Sequence, residues 1–422
     1  MDRPPSAPPV VAVIVASEPG PWFEETLRCF GAQDYPNLSV LVIDGARSGD
    51  PTRRVAAVLP DAYVRRVDGG GTFASLANDA LETVQGAAFL AFCHDDVAPD
   101  ADAIRRMVEE AFRSNAAVVA PKIVDWDHPE RLLDVGMLVD KMGATAPIAD
   151  RGELDQEQHD AVRDVFAVPD TFMLVRSDLF TALGGFDVEM GDVGADLDFC
   201  WRVQVAGGRV LVVPAARVRH RMGGAEAEPP EGRDVTLVRR HHARAMMKCY
   251  SLLHLIRVLP QAALVGLAEM VLAVAGRRWA EARTLPAAFW WNLRNSGDLR
   301  RRRRATQRAR AVPDADVRRL QVRGSVRLTT YLRRRLHADD RAEALVQAGH
   351  RLAGSVGRGP GQAAAVLLAV LAVLIVVGSR PHTRPRLPTT MSTARTASST
   401  AAAWPAWTRA SARSSAWRRR RR

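Results

Sequence analysis

The chain of 422 residues has only four cysteines, Cys29, Cys93, Cys200 and Cys249, and no CxxC pair among them. That spacing argues against a zinc site or a disulfide framework and suits a reducing compartment. The first ten residues, MDRPPSAPPV, lack the long apolar core of a secretory signal. No internal repeat is visible. The triple glycine at 69–71 is followed by neither GKS nor GKT, which excludes a P-loop. Arginine runs are present, but without the interleaved aromatics of an RNA platform, so no nucleic acid partner is expected. Residues 380–422 contain no Asp, Glu, Val, Ile, Phe or Gly, and cannot build a core.

The formal net charge of +12 is unevenly spread. Residues 1–230 carry 21 Lys and Arg against 37 Asp and Glu, whereas residues 231–378 carry 27 against 10. An acidic globular part is thus followed by a basic one, and a basic region suits an anionic partner such as a lipid surface. The division expected is a catalytic domain over 1–229, an amphipathic membrane-associated region over 230–300, a basic helical segment over 301–360, a transmembrane helix over 361–379 and a disordered arginine-rich tail over 380–422. Within 259–276, Pro260 and Glu269 interrupt the apolar run, and Arg257 precedes it, so an interfacial or re-entrant helix is expected there. A helical subdomain packed on the catalytic part is the alternative. AAAVLLAVLAVLIVVGS at 363–379 has a core close to the minimum needed to span a bilayer. Both of its flanks are basic, and the tail changes composition abruptly. The expectation is that residues from about 380 onward are out of frame.

The first 220 residues alternate short apolar strands with helical patterns. Strands are expected at 10–16, 40–44, 63–67, 88–93 and 118–121, with helices over 23–33, 73–84 and 101–113. Nearly all-apolar strands separated by helices indicate an α/β fold with a mostly parallel sheet covered on both faces. Ligands bind such sheets beyond the carboxyl ends of the strands. Ser17, Asp44 and the triplet His94-Asp95-Asp96 all fall at those ends. One acidic pair can close a strand as an ordinary polar turn; three strands delivering polar groups to one rim call for a site.

Three blocks carry a family resemblance. They are VVAVIVASEPGPWFEETLRCFGAQDYPNLSVLVIDGARSGDPT, then HDD, then LGGFDVEMGDVGADLDFCWRVQVAGGRVLVVPAARVRH. Over about residues 8–225 the chain resembles the family 2 glycosyltransferases of GT-A fold, most of all the bacterial rhamnosyl- and galactofuranosyltransferase-like enzymes of the cell envelope. The resemblance implies an inverting, metal-dependent transferase using a nucleotide-diphospho-sugar donor and a lipid-linked or polysaccharide acceptor at the cytoplasmic face of the cell membrane. A sugar-nucleotide-binding module without catalysis, regulating a membrane partner, is the alternative.

The resemblance also implies roles residue by residue. Asp96 is the metal ligand and His220 a histidine returned to the metal or diphosphate, with Mg²⁺ or Mn²⁺ as the ion. Oxygen ligands from one or two carboxylates plus phosphates suit either cation. Ser17, Asp44, Asn78 and Asp95 fall on the donor side, with Asp44 accepting hydrogen bonds from the nucleotide base and Asp95 approaching the ribose. Asp44 also reads as an Asx turn. His94 stands where relatives often have an acid, so its part in metal binding is left open. Asp196, in GADLDFCWR, is the base that takes the proton of the acceptor hydroxyl. Asp192 and Asp198 compete for that role, while Asp187 reads as structural and Arg202 as packing its helix.

Overall fold

A computed structural model describes residues 7–322 and residue 326, apart from 48–49, 222–234, 276 and 278. The transmembrane helix expected at 361–379, the tail and most of the basic segment lie outside the described residues.

The first half opens with strand β1 (Val10–Ala16), helix α1 (Phe23–Gly31), β2 (Leu38–Asp44), α2 (Thr52–Val58) and β3 (Tyr63–Arg66). Two short helices, α3 (Phe73–Ala77) and α4 (Ala80–Thr83), precede β4 (Phe89–His94) and β5 (Val97–Pro99). Then come α5 (Ala103–Ser114), β6 (Ala116–Asp125), β7 (Leu132–Asp134), β8 (Met137–Val139), β9 (Thr145–Pro147) and β10 (Arg163–Asp164). The central part closes with β11 (Phe172–Arg176), α6 (Ser177–Ala182), α7 (Ala195–Val205) and β12 (Arg209–His220). Helices α8 (Val235–Cys249), α9 (Leu252–Ala275), α10 (Trp279–Arg294), α11 (Ser296–Arg308) and α12 (Asp314–Val317) complete it.

The main sheet runs in the order β10-β12-β6-β11-β4-β1-β2-β3. Strands β4, β1, β2 and β3 are mutually parallel, as the alternation of strand and helix requires. The sheet as a whole is mixed, because β11 enters antiparallel between β4 and β6. An apolar run does not encode strand direction, so this reversal was not legible beforehand. Each face of the sheet has its own core, since successive side chains point to opposite sides. Val10, Ala12 and Ile14 of β1 pack with α1 and α5, while Val13 and Val15 pack with α3, α6 and α7.

Register positions the rim. Ala16 pairs with Asp44, Asp44 with Arg66, and Val15 with His94, so four strand ends align. Strand β12 crosses back to pair His220 with Val97 of β5, beside Asp96. The helix expected over 73–84 is divided in two at Asn78 and Asp79, which keep right-handed helical dihedrals, while the Asp79 N–H bonds three residues back to Leu76 instead of four.

The helices after 230 belong to the same body as the sheet. Ala245, Met246, Cys249 and Tyr250 share a core with α7 residues Trp201 and Val203. A boundary at 229 would cut through this packing, and one at 300 would cut α11 in two. Ion pairs join the parts as well. Asp187 accepts from Arg244 Nε at 2.8 Å and is also bridged to Lys248, while Lys248 Nζ lies 2.6 Å from Asp198. Arg202 Nε donates to Asp198 at 2.8 Å. Burial works against the Asp187 charge, but Lys248, then Arg244 and Arg302, hold its carboxyl well below the usual carboxylate range.

Candidate active site

The β4 strand ends at His94, and Asp95 and Asp96 turn the chain into β5. Antiparallel pairing of β5 with the end of β12 then brings His220 to Asp96: Nε2 lies 3.3 Å from Oδ1, and the backbone N–H of Arg221 donates to the Asp96 carbonyl. His94, Asp96 and His220 each offer one ligand atom, and these atoms lie within 4.8 Å of one another. Asp96 and His220 are buried, and Asp96 Oδ1 accepts no hydrogen bond from the described residues. A carboxylate oxygen and a ring nitrogen that close fit two neighbouring positions around a six-coordinate cation, which are about 3 Å apart for bonds of ~2.1 Å. The donor set therefore fits a divalent cation. His94, left open on the sequence, is one of the three possible ligands.

Asp95 is held from β1 and α1. The backbone N–H of Ser17, at the end of β1, supports its carboxylate, and Thr26 Oγ1 donates to its carbonyl at 3.0 Å. Desolvation, then the charge of Asp96, push the Asp95 carboxyl up to about 6. Asp170, which sequence reasoning passed over, lies 3.6 Å from His94 Nε2. Its signal was available: Asp170 stands two residues before an apolar strand, as Asp96 stands just after one.

Two donor-side expectations meet a different geometry. Asp44 is wholly buried, with Oδ1 accepting from the N–H of Ala46 at 3.0 Å and Oδ2 from Arg66 Nη1 at 2.9 Å. The Asx turn is present, and the Arg66 side chain beside it is exposed. Asn78 is likewise engaged at both ends of its amide: Nδ2 donates to the Phe186 carbonyl at 2.9 Å and Oδ1 accepts from the Phe186 N–H at 2.7 Å. It staples α3 to the LGGFD turn. Gly185 makes room for it, since φ is +69° and a Cβ there would lie 2.2 Å from Asn78 Oδ1.

Asp196 occupies the first turn of α7, where the helix dipole favours negative charge. Gly194 caps the helix in the left-handed region, with φ +85°. His241 of α8 holds the preceding loop through Nδ1, 2.6 Å from the Val193 carbonyl. Asp192 is drawn off to accept from the Phe73 N–H at 2.7 Å. Phe73 in turn packs on His94, with ring centroids 4.8 Å apart. A continuous path thus links the loop before Asp196 to the His94–Asp96–His220 cluster. Asp196 and Asp170 both bear on the Cys200 thiol, whose pKa burial pushes up to about 12. Asp198 points into the buried ion network and is out of reach of a ligand.

Residues 8–248 match the family described as glycosyltransferase like family 2. The pre-mycofactocin glycosyltransferase of Mycobacterium tuberculosis, strains CDC 1551 and H37Rv, is 30% identical over 140 residues, 31% of this chain and 26% of that protein. The chain thus matches about a quarter of the length of these curated relatives. Among solved structures, GalNAc-T7 with UDP, GalNAc and Mn²⁺ superposes with a TM-score of 0.46 at 12% identity, over 57% of this chain and 48% of that one. S. aureus TarS 1–349 in complex with UDP-GlcNAc does so with a TM-score of 0.41 at 15% identity, over 57% and 64%.

Proposed function

The chain belongs to glycosyltransferase like family 2, and on that premise we propose that it is an inverting, metal-dependent transferase. It moves a sugar from a nucleotide-diphosphate donor to a lipid-linked or polysaccharide acceptor of the cell envelope. The observation that carries this reading is the convergence of Asp96, His220 and His94 from the ends of β4 and β12. These residues hold Mg²⁺ or Mn²⁺, and two imidazoles in the set shift the preference toward a first-row transition ion. When bound, the cation neutralises the diphosphate as the glycosidic bond breaks.

The other residues divide the work. Ser17 and Asp95 line the donor side, with the Ser17 N–H fixing the Asp95 carboxylate toward the ribose. Asp44 acts on the donor through Arg66, which it holds at the rim. Asn78 acts through the turn it staples to α3. Asp196 accepts the proton of the attacking acceptor hydroxyl, and Asp170 orients His94. A module that only bound the nucleotide sugar would have no use for Asp196.

The helix α9 is apolar and long enough to cross a bilayer over Leu252–Val271, which supports membrane association. The arginines around it favour the cytoplasmic face. Asp196→Asn is the test. Transfer to an acceptor membrane fraction is lost, while donor affinity stays within a few-fold of wild type. Near-normal turnover by the variant would remove Asp196 from the mechanism.

A further inference from the structure

We propose that α9 and α10 form a seat lying in the plane of an anionic bilayer, its axis along the surface rather than across the membrane. The inference rests on the membrane association proposed above and specifies its geometry.

Among the described residues, large exposed apolar side chains are concentrated here: 11 of 17 lie between Leu252 and Leu293. On α9 they form one stripe, with Leu253, Ile256, Leu264, Leu267 and Val271 spaced three, four or eight residues apart. That spacing keeps them on a single helical face. Trp279 and Trp290 of α10, 57% and 65% exposed, extend the patch. Tryptophan favours the headgroup level, where its ring is apolar and its N–H is wet.

The opposite side of α9 is committed to the body. Gln261 Oε1 accepts from Lys141 Nζ at 2.8 Å, and Glu269 pairs with Arg239 of α8 at 2.8 Å. Gly266 lets Leu285 of α10 approach closely. These ties fall in the middle and second half of the helix. A spanning pose would carry Lys141, Arg239 and the α8 surface into hydrocarbon, where a charge at the bilayer centre costs about 3 kcal/mol or more. An in-plane pose keeps every tie and buries only the stripe.

Charge selects the occupant. Residues 235–310 carry sixteen Lys and Arg against three Asp and Glu. Arg257, Arg283 and Arg294 are exposed on the helices that carry the stripe, and Arg300, Arg301 and Arg304 on the next helix. A second copy would set these cations against one another. The uncharged run at 363–379 of this chain could cover the stripe but would leave the arginines unanswered. Anionic headgroups over an acyl layer answer both.

Nitroxide depth measurements on the full chain decide the matter. Labels are placed on Ile256→Cys, Leu264→Cys and Val271→Cys in a Cys29→Ser background. Leu253→Cys, Leu267→Cys and Val274→Cys serve as a second set where a label disturbs folding. The protein is floated with vesicles of phosphatidylcholine, with or without roughly one-third phosphatidylglycerol. Expected are flotation favoured at least tenfold by the anionic lipid, and equal shallow depths of about 5–10 Å at all three sites. A profile with Leu264 deeper than its neighbours by roughly 10–12 Å, the rise of seven or eight residues, would show a span and overturn the inference. Flotation with all three labels in water would assign binding to another segment and also overturn it. Dipolar broadening without vesicles would indicate a second copy on the face, with the same consequence. Absence of flotation would refute the membrane association itself.

Discussion

Replacing Lys248 by Met tests whether the basic helices are part of the catalytic body. The Lys248 ammonium is 1% exposed and bridges two carboxylates from elements on the acidic side of the sequence, Asp187 at the end of the LGGFD turn and Asp198 within α7. Removing one partner of a buried ion pair costs about 3–5 kcal/mol, because the remaining charge is left in low dielectric. Here Asp198 keeps Arg202 at 2.8 Å, and Asp187 keeps Arg244 at 2.8 Å and Arg302 at 3.2 Å. The lower end of that range therefore applies, about 3 kcal/mol. For a body of this size, that lowers Tm by roughly 4–6 °C. Calorimetry or near-ultraviolet dichroism follows the transition, and Asp198→Asn combined with Lys248→Met completes a double-mutant cycle. With Asp198→Asn alone as the remaining corner, the cycle isolates the Lys248–Asp198 coupling, expected at about 1 kcal/mol or more. Lys248→Met unfolding within about 0.5 kcal/mol of wild type, the range of an ordinary surface change, would refute the reasoning.

Gly185→Ala should destabilise by about 2 kcal/mol or more through both its positive φ and the clash with Asn78, whereas Gly184→Ala, which meets nothing within 4 Å, loses only the backbone part; equal losses in urea unfolding would contradict this. Burial pushes the Asp134 carboxyl up to about 6, so the folded state binds the extra proton. This contribution to stability is complete below about pH 4 and is lost as pH rises through about 6, a fall of about 2 kcal/mol after allowance for its half-buried setting. Asp134→Asn should flatten that part of a stability–pH profile, and an unchanged slope would count against the assignment. Finally, a chain ending at residue 229 should not fold cooperatively, because Ala245, Met246 and Tyr250 are missing from the core; a sharp thermal transition for that fragment would refute it.

Much of the fold could be read from residue order because short apolar strands and their polar ends follow from backbone periodicity. Asp95 and Asp96 were visible for that reason, whereas His220 entered only through the family resemblance. The charge balance was also visible, but its meaning was not. An acidic half and a basic half suggested separate domains, whereas Asp187 and Asp198 meet Arg244, Lys248 and Arg302 across one buried interface. Linear charge counting cannot distinguish segregation from complementarity. Asp44 and Asn78 show the converse limit. Their positions at strand and helix ends are as expected, but their partners, Arg66 and the Phe186 backbone, come from 22 and 108 residues away. The closeness of His94 to Asp96 and His220 depends on β12 folding back over β5, which residue order does not show.

The central claim is that the chain holds a divalent cation at the end of β4 for use with a nucleotide diphosphate. It is tested most directly by titrating Mn²⁺ calorimetrically into wild type, Asp96→Ala, His220→Ala and His94→Ala, each with a panel of nucleoside diphosphates. The account predicts one Mn²⁺ site in the wild type, nucleotide affinity that depends on the metal, and metal binding weakened at least tenfold in each variant. Equal nucleotide affinity with and without Mn²⁺, or Mn²⁺ binding unchanged by loss of Asp96, would contradict it.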